Sequence, residues 1–423
     1  MKARPSAPPA REYDVSPAVF RLPNPMRGLV WLALLIPGHL FDWWVERGFA
    51  AGVFLVACLV LMTKGTTWEA RAASRKASVV FFLVQFLYVT SYVYSVAFNG
   101  IQTGVRDYFE LARYLILWAF TVYVIRHFDG TVRKTVETAL SASLYYSLFV
   151  LALYLHPVPG LTPFFRGWLY AGTKTFVAEF GSQLRLAAPF ENPNFLGFVA
   201  TLTICWLLFF SKSRLRLAHI AAGLLVAFFC GSRTAWAATG LLLALALAAY
   251  AYEALIKLRV KYAVQLSLVF LALMLSGPWL YVRVMSSSRV VRVVNALNRG
   301  GLQEEANAAQ RLVQARAALG YFQQSPVLGW GPSKYETMSY VDNQYLLWLL
   351  RNGALGALLI VTGLAMAGWG LVRGARGNLM HVVGAGGFLG ALSLMLLAGQ
   401  FFDNFRLFFL TAFVAAAMRE ESR

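Results

Sequence analysis

"SYVDNQYLLWLLRNGALGALLIVTGLAMAGWGL", residues Ser339 to Leu371, opens on an acid and an amide and then stays apolar to its end. A helix needs about 20 such residues to cross the hydrocarbon core of a bilayer, and this run exceeds that. Comparable runs recur along the chain, at 28–44, 48–63, 78–98, 108–126, 138–156, 194–211, 217–231, 234–252, 262–282, 342–371, 381–400 and 402–418. Of the 423 residues, 59% are hydrophobic and only 13% charged, with a mean hydropathy of +0.58. A soluble chain of this length has too much surface to hide that much apolar area. The expected fold is therefore an all-α polytopic membrane protein of about 12 transmembrane helices. Some runs are short or carry Gly or Pro, which predicts broken or tilted helices.

The formal charge of +19 would point to nucleic acid in a soluble protein. Here most Lys and Arg fall between spans, in the segments that are cytoplasmic if the N-terminus is inside, and half of the remainder lies in the one stretch from Arg283 to Arg351. Cytoplasmic loops of membrane proteins carry this excess, and long loops escape the rule. The charge thus predicts both termini cytoplasmic and no nucleic-acid partner. Cys58, Cys205 and Cys230 all sit in apolar runs and read as packing residues. His39, His127, His156, His219 and His381 are scattered without ligand spacing, so no metal site is expected.

The chain divides accordingly. Residues 1–26, Pro-rich and basic, lack the apolar core of a cleaved signal and read as a flexible cytoplasmic tail. Residues 27–282 hold spans one to nine and an outer loop at 157–193. Residues 283–341 form the largest non-apolar stretch, a large external loop between spans nine and ten, and 342–423 hold the last three spans and a short cytoplasmic tail. Within the large loop "RVVRVVNALNR" and "ANAAQRLVQARAALGYFQQSP" carry apolar residues at helical spacing, in the second case Leu312, Ala315, Leu319 and Phe322. They read as short amphipathic helices on the outer membrane surface. "SPVLGWGPSKY" then turns the chain through Pro326, Gly329, Gly331 and Pro332.

Charged groups near a bilayer core cost about 2.5–3.5 kcal/mol even on lenient scales, so each one needs a reason. Arg233, in "GSRTAW", either snorkels to headgroups or aims its planar fork at a phosphate. Asn192, Pro193 and Asn194 in "APFENPNFLGF" fit a helix cap, but Arg185 lies too far upstream to cap. Arg311 sits on an amphipathic helix, where a solvated face is the plain alternative. Asp342 and Asn343 fit an N-cap, and "FFDNFRLFF" repeats the pair as Asp403 and Asn404 before the last span. Against capping alone stands convergence: Arg185, Arg233, Arg311, Lys334 and Asp342 all fall on one face in this topology. Basic groups beside a carboxylate suit an anionic, phosphate-bearing lipid and a reaction that needs a base.

"RLAAPFENPNFLGF", "GSRTAW", "NAAQRLVQARAALGYFQQSPVLGWGPSKY" and "VDNQYLLWLLRNGALG" occur in that order. Over residues 180–360 the chain resembles the superfamily of O-antigen polymerases and O-antigen ligases, bacterial membrane glycosyltransferases of the inner membrane. The resemblance implies a large periplasmic loop late in the chain. It implies transfer of a glycan from undecaprenyl diphosphate to a sugar hydroxyl, with no nucleotide sugar, metal or cofactor. Arg185, Arg233 and Arg311 would hold the donor diphosphate. Ligases of this superfamily look to have a histidine where this chain has Asp342, so the polymerase side is expected, making O-antigen, capsule or exopolysaccharide. Asp342 would act as base, with Asn343 and Tyr345 positioning the sugar and Asn192, Asn194 and Lys334 completing the substrate site. A chain-length regulator is a possible partner. The alternatives are an O-antigen ligase acting on lipid A–core, a lipid-linked glycan flippase or other 12-span carrier, and a metal-dependent transferase. The carrier is disfavoured because the midpoint loop, 212–216, is short and the large loop off-centre. The metal-dependent enzyme would need a closer acidic pair than Asp42 and Glu46.

Overall fold

The computed structural model describes residues 25–35, 68–100, 107, 110–165, 177–180, 183–190, 192–256, 264, 306–332, 341, 343–397 and 399–421. In chain order they form α1 (Pro25–Leu35), α2 (Trp68–Asn99), α3 (Arg113–His127), α4 (Gly130–Leu155), the single turn α5 (Leu161–Phe164), the hairpin β1 (Val177–Phe180) and β2 (Gln183–Leu186), α6 (Pro193–Phe209), α7 (Arg216–Cys230) and α8 (Arg233–Ala251). Then come α9 (Ala306–Gln324), α10 (Gln344–Gly374), α11 (Leu379–Leu396), a 3₁₀ turn (Phe401–Asp403) and α12 (Phe405–Glu421). Among the described residues, five stretches are helical and apolar over enough length to cross a membrane: Arg75–Phe98, Gly130–Leu155, Arg233–Leu255, Gln344–Gly374 and Leu379–Leu396. The protein is membrane-embedded, and the secondary structure of the described residues is helical apart from the antiparallel pair β1–β2. That hairpin lies in the segment read from sequence as a plain outer loop. The expected spans at 48–63 and 262–282, and the helix over "RVVRVVNALNR", lie outside the described residues.

Most helix starts follow from their first residues. Asp129 caps α4, accepting from Thr131 and Val132 N–H, and Asn378 caps α11 through Met380 N–H. Gly231, left-handed at φ 60, ends α7 and lets Ser232 cap α8 directly. At the centre stands α6, buried along almost its whole length. It packs against α7, α8 and α11, with α4 and α12 behind. A close approach lies at Gly197, where a Cβ would fall 2.8 Å from that of Ala235 on α8. Small residues let membrane helices approach this closely. Thr201 and Thr203 return their hydroxyls to the helix's own carbonyls of Gly197 and Val199. Cys205 and Cys230 are buried thiols in this packing, as read from sequence.

The run that opened the sequence is one helix in two pieces. At 31 residues α10 is far longer than a bilayer crossing requires, and it breaks at Gly353 (φ 63, ψ −174). The turn Ser325–Gly331 fills the break. Trp330 and Gly331 N–H donate to the orphaned carbonyls of Leu350 (2.7 Å) and Arg351 (2.9 Å), and Pro326 C=O accepts from Ala354 N–H (2.8 Å). In hydrocarbon, irregular backbone survives only where protein satisfies it, and here one turn serves both sides of the break. Gly329 and Gly331 carry positive φ for the same reason, since a Cβ on Gly331 would lie 2.9 Å from the backbone of Tyr92 on α2.

The helix α9 supports that turn. Ala318, Tyr321 and Phe322 pack with Trp330, Leu346 and Leu350, and the Trp330 indole donates to Tyr321 C=O at 2.9 Å. Leu312 and Leu319, two of the apolar residues expected to share a face, are exposed on the side away from this contact. The protein contact is set by the fit around Trp330, which selects the neighbouring stripe.

Candidate functional site

Arg185, at the end of β2, is where the sequence-level candidates come together. Its Nε donates to Cys230 C=O at 2.9 Å, and its Nη2 donates to Asn194 Oδ1 at 2.9 Å. One guanidinium thus joins the last residue of α7 to the first turn of α6, three residues before Arg233. The two asparagines do different work: Asn192 caps α6, accepting from Asn194 N–H at 2.8 Å, with Pro193 at the first helical position. Asn194 does not cap; its side-chain oxygen receives Arg185. Arg233, the first residue of α8, is exposed, and positive charge there opposes the helix dipole. A cation kept at that unfavourable place suits an anion nearby.

Arg311 is exposed on α9, which packs on α10. Asn343 caps α10, accepting from Tyr345 N–H (2.9 Å) and Leu346 N–H (3.1 Å). The Tyr345 ring stands edge-on to Trp348 at 5.6 Å, and its hydroxyl reaches Ser393 C=O on α11 at 3.5 Å. Asp342 and Lys334 lie outside the described residues. The chain on either side of Asp342 is held: Val341 C=O accepts from the Gln400 amide, and Gln344 Oε1 accepts from Phe402 N–H at 3.0 Å.

One reading is corrected. Asp403 was expected to cap the last span together with Asn404. Only Asn404 does so, accepting from Leu407 N–H at 3.3 Å. Asp403 turns inward, where its Oδ1 meets Arg351 Nη1 at 2.6 Å and Arg113 Nη1 at 3.2 Å, and its carbonyl accepts from Arg113 at 3.0 Å. Arg113 also holds Glu110 at 2.5 Å. Two cations and two anions therefore balance inside the bundle, each side chain no more than 10% exposed. Removal from water is what makes the four collect: an isolated charge costs far more there than a paired one.

Arg351 sits at the helix break. Its carbonyl takes Gly331 N–H and the Ser91 hydroxyl (3.3 Å), while its Nε and Nη2 are buried without partners. Sequence reading had counted Arg351 with the outer loop and passed over Glu110 and Arg113. The available signal was the same in each case: a charge inside an apolar run. Arg406 is a further instance, 4% exposed, lying 4.1 Å above the Phe190 ring and donating to Ala33 C=O and Pro189 C=O.

These groups share one end of the bundle. Phe401, beside Asp403, stacks on Phe198 at 4.7 Å and meets Phe195 edge-on at 5.8 Å, which ties the ion cluster to the first turns of α6 and so to Arg185. The arrangement offers cations on a rigid helix junction, with a buried, neutralised scaffold behind. Among the described residues no group of three or more His, Cys, Asp or Glu is placed to hold a metal ion. No model of a known protein family matches the chain, and comparison with characterised proteins gives no match.

Proposed function

We propose that this protein is an inverting glycosyltransferase of the inner membrane that polymerises glycan repeat units carried on undecaprenyl diphosphate. The reading places about 12 spans with both termini cytoplasmic, and the Arg185 end of the bundle toward the periplasm. The observation that carries it is the Arg185 junction, which ties the Asn-Pro-Asn start of α6 to the α7–α8 corner and its Arg233. Two of the ordered motifs that resemble the polymerase and ligase superfamily thereby meet in space. Planar guanidinium groups match phosphate oxygens bidentately.

In this reading the acceptor hydroxyl oxygen forms a bond to the anomeric carbon as the carbon–phosphate oxygen bond breaks. Undecaprenyl diphosphate leaves with the electron pair, and the hydroxyl proton passes to the Asp342 carboxylate. Arg185, Arg233 and Arg311 offset the charge gathering on the leaving diphosphate. Asn192, Asn194, Lys334, Asn343 and Tyr345 are assigned to holding the substrates. Asp342 in place of histidine favours polymerase over ligase.

The test is direct. Purified protein in liposomes is given an undecaprenyl-diphosphate-linked repeat unit, chelator and no nucleotide sugar. A ladder of longer lipid-linked glycans, lost in Asp342→Ala, is the expected result. Transfer only when lipid A–core is supplied would make it a ligase. No product with either acceptor would overturn the reading.

A further inference from the structure

The opposite end of α6 carries a second polar site, unrelated to the Arg185 junction. Seventeen residues of helix separate the two, about 26 Å at 1.5 Å per residue. Here α4 and α7 leave an open cavity of about 480 Å³ lined by Lys134, Glu137, Thr138, Ser141, Tyr145, Ser213 and His219 among others. That volume is in the range of small-ligand sites.

The lining is rich in hydrogen-bond donors. Ser141 is 6% exposed, and its hydroxyl has no partner. Ser213 Oγ accepts from Leu215 N–H at 3.2 Å, which leaves its proton to give. Tyr145 Oη and His219 Nδ1 are 2.8 Å apart. A neutral imidazole and a phenol own one ring N–H and one O–H, and only one of these lies between them. Whichever tautomer is present, the pair therefore keeps a donor for a ligand. Lys134 is exposed at the rim, and the structure gives it no ion pair. Its neighbours are differently employed: Arg133 and Lys212 both pair with Glu421, and Arg216 donates to Tyr250 Oη at 3.0 Å. The one carboxylate in the lining, Glu137, is engaged by the Ser211 hydroxyl at 2.5 Å.

We propose that this cavity binds the phosphate of an anionic phospholipid headgroup. Lys134 supplies the charge, and Ser141, Ser213 and the Tyr145–His219 pair supply the directed donors. A lipid rather than a soluble phosphate is indicated by the apolar surface beside the cavity. Tyr145 and Phe149, one turn apart on α4, whose apolar length suits a bilayer crossing, and Leu217 on the shorter apolar helix α7 are all exposed. A lysine at the membrane edge is attracted to anionic headgroups.

The experiment titrates the full-length protein in detergent with dioleoyl phosphatidylglycerol and follows bound lipid by native mass spectrometry. Dioleoylglycerol and glycerol 3-phosphate are titrated in parallel. Phosphatidylglycerol is expected to bind, with Lys134→Gln weakening it about tenfold, as loss of one charge-assisted hydrogen bond implies, and Ser141→Ala weakening it less. Lys212→Gln, which removes an equal charge outside the cavity, should leave binding within about twofold. Equal weakening by Lys134→Gln and Lys212→Gln would reduce the site to general surface charge and overturn the proposal. So would equal binding of dioleoylglycerol, which lacks phosphate, or of glycerol 3-phosphate, which lacks the chains. Both lysines are exposed, and the buried Glu421 carboxylate keeps Arg133 when Lys212 is replaced, so both variants should fold.

Discussion

Replacing Gly353 by alanine should unlock the broken helix. The added Cβ would fall on Val327 C=O and lie 2.6 Å from the carbonyl carbon of Leu328, and the residue would keep φ +63. At φ 63, ψ −174 the backbone lies in a region essentially reserved for glycine, which costs an L-residue about 1–3 kcal/mol. Relieving the clash means moving the turn, which forfeits the bonds from Trp330 N–H to Leu350, from Gly331 N–H to Arg351 and from Ala354 N–H to Pro326. At about 1 kcal/mol each these bring the loss to about 4–6 kcal/mol. Equilibrium unfolding in mixed SDS micelles reads this number. Gly370→Ala supplies the comparison, because the same helix leaves its Cβ open space, and there alanine should be neutral or stabilising by up to about 1 kcal/mol. If Gly353→Ala and Gly370→Ala unfold at the same SDS fraction, the turn does not close the break as described and the account of α10 fails.

The ion cluster makes an ordered prediction. Asp403→Leu takes from Arg351 its close carboxylate and leaves two guanidinium groups to the single carboxylate of Glu110, which should cost about 3–5 kcal/mol, whereas Arg351→Leu, which removes a guanidinium with two unpartnered nitrogens, should cost clearly less; the reverse order in the same unfolding assay would refute the pairing. Asn192→Ala should lose about 1 kcal/mol of stability as a lost cap, while Asn192→Asp keeps it. Arg185→Lys retains the charge but cannot reach Cys230 C=O and Asn194 together. In the glycan-ladder assay it should therefore fall nearly as far as Arg185→Leu, and full activity of the lysine variant would show that charge alone suffices.

What the sequence disclosed and what it hid separate along one physical line. Runs such as 194–211 and 234–252 fall within two residues of α6 and α8, because solvation by hydrocarbon imposes its pattern on every residue of a span. The break in α10 was half legible. Its excess length and its glycines were visible, and so were the turn formers of "SPVLGWG", but nothing local says that this turn enters that break. The match is made by three backbone hydrogen bonds, which leave no mark in side-chain pattern. The ion cluster was hidden differently. Asp403 next to Asn404 looks like the Asp342–Asn343 pair, and capping accounts for either residue equally well from sequence alone. Its partners come from α3 and α10, so only the packing of three distant segments distinguishes an acid that caps from one that neutralises. Yet the cost rule was already sufficient to ask the question. Glu110, Arg113 and Arg351 stand in or beside apolar runs, and four charges of balanced sign at one end of a bundle are most cheaply kept by one another. The same reasoning separates the two ends of α6. Where charges are internally balanced, as around Asp403, they hold the frame. Lys134 stands outside the pairs formed by Arg133 and Lys212, and in the proposed headgroup site it supplies the charge.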